Sequence, residues 1–149
     1  PNASQRFLEL VKAGYYDNTP IFRVIPGFVA QFGINSKHGD WQKKLFDDDR
    51  SWFKLDRGTL AFAKAGPNIN STQVFINFGD NSRLDQSGFS PFGRVLSGMN
   101  VVEAINAEYG EGAPNGRGPN QSRIQSEGNA YLSKDFPRMD YIKKATIER

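Results

Sequence analysis

The stretch FRVIPGFVAQFG, from Phe22 to Gly33, limits the fold more than any other part of this chain. Two β-prone apolar segments flank Pro26-Gly27, a pair that turns a chain rather than continuing it. Related signals recur downstream. GTLAFAKAG is apolar and strand-like, and QVFINFG alternates, with Val74 and Ile76 on one side and Gln73, Phe75 and Asn77 on the other. SPFGRVL supplies another short strand, and YIKKATI near the end is strand-like too. Many short strands with few helices predict a mainly β chain rolled into a closed or nearly closed barrel.

Two helices are expected. PNASQRFLELVKAGYY places Ala3, Phe7, Leu10 and Val11 on one face, with Gly14 as its stop. SGMNVVEAINAEYG reads as the second, with Val101, Val102 and Ile105 inward and Gly110 past its end. Between Ile34 and Arg57 the chain is polar and irregular, and is read as a long surface loop held by Trp41, Phe46, Trp52 and Phe53. Its triplet Asp47-Asp48-Asp49 could attract a hard cation, but consecutive carboxylates cannot surround one without other ligands. No metal is therefore assigned. GEGAPNGRGPNQSR is rich in glycine but lacks the strand–GxxxxGK[ST]–helix order of a nucleotide loop, and reads as an extended surface connection.

Composition narrows the chemistry. At 149 residues, with 38% hydrophobic residues, the chain suits one domain with a real core. It has no cysteine and one histidine, His38, so thiolate chemistry and His-rich metal sites are excluded. His38 itself reads as a surface-loop residue. The net charge of +3 is modest and dispersed, which gives little support to nucleic-acid binding. No apolar run approaches the roughly 20 residues needed to cross a bilayer. Within this frame Arg23 stands out, because a guanidinium cannot shed its charge. On a β-prone run it either snorkels to solvent or faces something that needs a fixed donor.

FRVIPGFVAQFG, then GTLAFAKAGPNINSTQVFI, then LD followed by FGRVLSGMNVVEAI, resemble the cyclophilin family of peptidyl-prolyl isomerases, in that family's order and roughly its spacing. The resemblance covers most of Ile21 to Ile105 and is weaker from Ile34 to Arg57 and after Asn106. It implies a closed barrel of eight antiparallel strands capped by two helices, with a substrate groove on one face. Two strands precede the first helix in such a barrel, so roughly 15–25 further upstream residues are expected, an extent taken from usual strand lengths. Residues 1–149 are read as a single domain with an extended C-terminal segment from about 107 to 149.

The resemblance also implies roles. Arg23 falls on the catalytic arginine, Phe28 on the floor of the proline pocket, and Gln31 on the glutamine that supports the arginine. Val29 takes a position usually held by methionine. Ala63, Lys64 and Gln73 line the groove, Phe75 closes the pocket, and Leu84 is its leucine wall. The chain departs from the pattern at Phe22, usually histidine, at Lys64, usually asparagine, and at Arg83, usually tryptophan. About one extra residue lies between Asp85 and Phe92, where the family's histidine has no counterpart and Phe89 lies nearby. INSKHGDWQKKLF replaces the glycine-rich loop beside the secondary pocket.

The implied activity is isomerisation of X-Pro bonds in peptides or unfolded proteins, without a cofactor. Weak cyclosporin binding is expected, because Arg83 replaces an indole. Lys64 and Arg83 together predict tolerance of, or preference for, acidic residues flanking the substrate proline. The alternative is a cyclophilin-like module of faded activity that docks proline-containing segments in a larger assembly.

Overall fold

In the computed structural model, which describes residues 2–50 and 53–148, the chain opens with α1 (Asn2–Lys12). Ala3, Leu10 and Val11 are buried, as the helical spacing predicts. The first free N–H groups of α1, on Asn2 and Ala3, each donate to the Asp49 carboxylate at 2.9 Å. The helix ends with Gly14 N–H on the Val11 carbonyl and Tyr15 N–H on the Leu10 carbonyl, both at 3.0 Å, around a left-handed Gly14 (φ 71°).

The strands are β1 (Thr19–Ile25), β2 (Val29–Phe32), β3 (Thr59–Lys64), β4 (Asn70–Asn77), β5 (Gly93–Arg94) and β6 (Tyr141–Ile142). They form one antiparallel sheet in the order β5-β3-β4-β2-β1-β6, curled into a half-barrel. The mainly β expectation holds in this coarser form. Eight strands closing on themselves are not seen among the described residues, because the order ends at β5 and β6. Each edge pairs through only two residues, since SPFGRVL and YIKKATI contribute far less strand than their β-prone composition predicts. Edges this short offer little template for another chain.

Helices are more numerous than expected. Besides α1 there are α2 (Met99–Glu103), α3 (Gln121–Glu127) and α4 (Asn129–Asp135). The second predicted helix is cut to five residues, and Val101 points outward at 66% exposure. Met99, Val102 and Ile105 do pack, beneath Val24, Ala30 and Phe78. The polar stretch after Ile34 contains a 3₁₀ segment, Ser36–Lys43, and Trp41 and Phe46 hold it to the core. Phe53 is 72% exposed, and Trp52 lies outside the described residues. Among the described residues no helix is long and apolar enough to cross a membrane.

Strand alternation sorts the side chains onto two faces. Phe32, Phe62 and Val74 turn inward toward α1, with Ile21, Leu60 and Ile76 against them. Val29, Ala61 and Phe75 turn to the opposite, outer face with Leu55. The strict alternation breaks once in β1. Ile21 pairs with Phe32 and Arg23 with Gln31, so Phe22 is an extra residue, a β-bulge. Ile21 and Val24 therefore meet interior clusters, whereas Phe22 and Arg23 both turn outward. Phe22 is buried with Ile34, Ile124, Tyr131, Leu132 and Met139, fastening α3 and α4 to the sheet. This explains the apolar residue at Phe22 where histidine was expected.

Candidate active site

Arg23 on β1 pairs across the sheet with Gln31 on β2, Gln31 with Phe75 on β4, and Phe75 with Ala61 on β3. One transverse row thus carries a charge, an amide, an aromatic ring and a small residue over four strands. Gln31 is 7% exposed; its Oε1 accepts from Arg23 Nη1 at 3.1 Å, and its Nε2 donates to Gln73 Oε1 at 2.8 Å. Gln73 donates onward to Gln121 Oε1 at 3.2 Å. A buried amide needs such partners, because an unpaired one costs about 1–3 kcal/mol.

Phe28 comes from the turn between β1 and β2. Its N–H donates to the Ile25 carbonyl at 3.0 Å around Pro26 and a left-handed Gly27 (φ 74°), matching a type II turn. The Phe28 carbonyl accepts from Phe78 N–H and from Asn81 Nδ2, each at 2.9 Å. Asn81 is fully buried and also donates to Asn77 Oδ1 at 2.6 Å, while Asn77 Nδ2 donates to the Thr59 hydroxyl at 3.0 Å. The turn that presents Phe28 is tied to β3 and β4 through two buried asparagines.

A cleft of about 420 Å³ opens over this face. Arg23, Phe28, Val29, Gln31, Ala63 and Phe75 line it, with Lys64, Leu84 and Phe89. Phe75 and Phe89 meet edge to face with centroids 5.4 Å apart. Gln73 stands beside the cleft, in an adjoining hollow that shares Gln31, Ala63 and Lys64 with it. Arg83 lies outside the lining, its guanidinium carbon 5.2 Å from the Phe28 ring centroid. The Arg23 guanidinium lies 5.6 Å from the same centroid, so two cations lie within cation–π range of this ring.

Sequence reasoning missed four residues here. Lys64, read as a groove-lining rim charge, has a side chain only 6% exposed that donates to Asp48 Oδ2 at 2.8 Å. Asp48 also accepts from Asn70 Nδ2 at 2.8 Å and Asn68 Oδ1 accepts from its N–H, so this carboxylate belongs to a polar network. Burial alone would raise the Asp48 pKa, but the bonds from Lys64 and Asn70 outweigh it and hold it below the ordinary value. Glu111, Asn115 and Gln121 complete the cleft wall.

Glu111 makes the strongest contact. Arg23 Nε donates to its Oε1 at 2.8 Å and Arg23 Nη2 to its Oε2 at 2.7 Å. The Arg23 hydrogen bonds, with further help from the Gly112 N–H against the effect of burial, hold the Glu111 carboxyl below its ordinary range. The glycine-rich segment is not an extended connection. Its chain folds back so that Gly118 N–H reaches the Glu111 carbonyl at 2.8 Å and Ala113 N–H the Gly118 carbonyl at 3.1 Å. A Cβ on Gly116 would stand 2.3 Å from the Glu111 carbonyl oxygen, so the glycine is needed for close approach. His38 is exposed and stands apart, by α4.

The curled antiparallel sheet thus carries on its outer face a cleft in which aromatic and aliphatic side chains stand beside one arginine held by Gln31 and Glu111. Residues 1–128 match the family model described as cyclophilin type peptidyl-prolyl cis-trans isomerase/CLD. The chain is 42% identical over 113 residues to the peptidyl-prolyl cis-trans isomerase cypE of Dictyostelium discoideum, with 72% of each covered. It is 36% identical over 110 residues to a peptidyl-prolyl cis-trans isomerase-like 3 of Rhizopus delemar, covering 66% of this chain and 64% of the relative. Among solved structures, it resembles a Cryptosporidium parvum cyclophilin type isomerase determined in the presence of the dipeptide Ala-Pro. That match has a TM-score of 0.62 and 29% identity, over 78% of this chain and 76% of the other. The chain belongs to the cyclophilin-type peptidyl-prolyl cis-trans isomerase family.

Proposed function

We propose that this member of the isomerase family turns X-Pro bonds of peptides or unfolded proteins in the cleft described, with Arg23 as its catalytic group. The observation that carries the reading is the cleft lining, in which the Arg23 guanidinium lies 5.6 Å from the Phe28 ring centroid and Phe75 stands two strands from Arg23 along the transverse row. An X-Pro bond resists rotation through amide resonance, with a barrier of about 18–20 kcal/mol. Phe28, Val29, Phe75 and Leu84 grip the proline ring while the preceding carbonyl swings. A guanidinium N–H aimed at the prolyl nitrogen favours the twisted state, in which that nitrogen regains its lone pair, over the planar one. This is differential binding of the transition state. Lowering the barrier by about 7 kcal/mol would accelerate exchange roughly 10⁵-fold.

The partners are proline-containing peptides, supported by the relative crystallised with Ala-Pro. Cyclosporin binds weakly in this reading, because covering the Arg83 guanidinium with an apolar ring removes water without replacing its hydrogen bonds. Residues 1–149 act as one domain, supported by the packing of Ile124, Tyr131 and Leu132 from the C-terminal segment on Phe22 of β1. NMR exchange spectroscopy on a short X-Pro peptide tests the activity. Faster exchange with the protein supports it; binding without faster exchange favours a docking module instead.

A further inference from the structure

The family pattern supplies one support for the arginine, Gln31. This chain adds a second, from a segment 88 residues further along. We propose that Glu111 is a positioning residue for Arg23, locking the guanidinium plane so that its remaining donors face the cleft; this rests on the isomerase reading above.

Hydrogen counting supports positioning over blockage. A guanidinium carries five N–H groups. Glu111 takes the Nε hydrogen and one on Nη2, and Gln31 takes one on Nη1. One donor therefore remains on each Nη. The carboxylate occupies the Nε edge and leaves the far end of the fork unoccupied. It also forms the wall of a cleft that keeps a volume of about 420 Å³, so it does not fill the substrate space.

The carboxylate is itself held. The Gly112 N–H donates to Oε1 at 2.9 Å, and the folded-back loop secures its backbone. Arg23 is thus braced from two directions, by Glu111 along one edge and by the Gln31–Gln73–Gln121 amide chain along the other. An arginine side chain has several rotatable bonds, and a planar bidentate partner removes most of that freedom. Positional errors of about 1 Å can cost on the order of 10²-fold in rate.

The experiment compares the full chain with Glu111→Gln, Glu111→Ala and Glu111→Asp. It reads peptide exchange by NMR together with the side-chain ¹⁵N–¹H signal of Arg23 Nε. Glu111→Gln keeps the side chain's size but offers one acceptor oxygen, so it serves even if Glu111→Ala lowers stability. The expected result is a 10- to 100-fold fall in kcat with little change in KM, on the order of the positional cost above. Faster solvent exchange of the Arg23 Nε hydrogen should accompany it, and Glu111→Asp should fall between wild type and Glu111→Ala. An unchanged or increased kcat in Glu111→Gln, or a change confined to KM, overturns the positioning role. Arg23→Ala separates the two levels. If it slows exchange by on the order of 10²–10³-fold while Glu111→Gln leaves kcat unchanged, only Glu111's role fails; if Arg23→Ala retains full activity, the reading of Arg23 fails as well.

Discussion

The two walls of the cleft are built on opposite principles. One comes from β1, β2 and the turn between them, where Arg23, Phe28, Val29 and Gln31 lie within nine positions of one another. The other comes from distant, irregular chain, with Glu111 reaching across 88 residues to Arg23, and Asp48 behind the lining reaching across 16 to Lys64. The near wall supplies donors and rings; the irregular chain supplies anions that fix and neutralise Arg23 of the near wall and Lys64 of β3. Chemistry placed by a sheet is set by strand register, whereas restraint placed by loops is set by long-range pairing.

Removing the near wall's charge should have the largest effect. Arg23→Ala is expected to slow exchange by on the order of 10²–10³-fold, the scale of losing one preorganised donor. Arg23→Lys should also be poor, because an ammonium has no planar fork for Glu111 and Gln31 to hold. Peptide exchange rates at equal folded fraction measure both. Activity surviving in Arg23→Ala would move the chemistry away from the near wall.

Next comes the support beneath the ring. Asn81→Ala removes the donor to the Phe28 carbonyl and leaves Asn77 Oδ1 without that partner inside the protein. A stability loss of about 1–3 kcal/mol is expected, read from urea unfolding, together with a weaker grip on the proline ring. An unchanged midpoint would show that the turn holds itself.

Acid should loosen the far wall. The Glu111 carboxyl titrates below its ordinary range because Arg23 donates to it. A carboxylate of depressed pKa contributes fully above its ordinary value of about 4.3 and loses that contribution as pH falls through the depressed value. Exchange should therefore be flat with respect to this group through neutral pH. It should then fall roughly tenfold at the acid end, the smaller limit of a misplaced group. Glu111→Gln should lack this acid limb, and an identical limb in both proteins would assign it to another group, such as Asp48.

The smallest effect concerns residues flanking the substrate proline. Lys64 and Arg83 suggest an acidic preference, but Lys64 is already paired with Asp48 and Glu111 adds a negative charge to the wall. A peptide series carrying Glu, Ala or Lys beside proline should vary by less than about fivefold, the span of screened surface charge. A larger preference for Glu would show that Arg83 dominates the rim.

Legibility followed the same division. The near wall could be read because its signals are local: a Pro-Gly turn, alternating β-prone runs, and an arginine among apolar residues. The bulge at Phe22 could not, since one extra residue leaves no trace in alternation over so short a strand. Glu111 was hidden because a carboxylate in a glycine-rich stretch looks like solvated loop until its partner is known. Helices α3 and α4 did leave traces. Asn120 caps α3 by accepting from the Arg123 N–H at 3.1 Å, and Gly128 (φ 67°) divides the two. Seven residues each is too short for a periodic apolar face to declare itself.

The extra residue in β1 changes how this molecule tolerates alteration. Two neighbours, Phe22 and Arg23, look outward together, one fastening the C-terminal helices and the other serving the cleft. Their shared direction depends on the number of residues in the strand rather than on which residues they are. Exchanging either side chain disturbs one task. Losing either position would restore plain alternation and leave a single outward residue between Ile21 and Val24, so one stretch of strand could no longer serve both tasks at once.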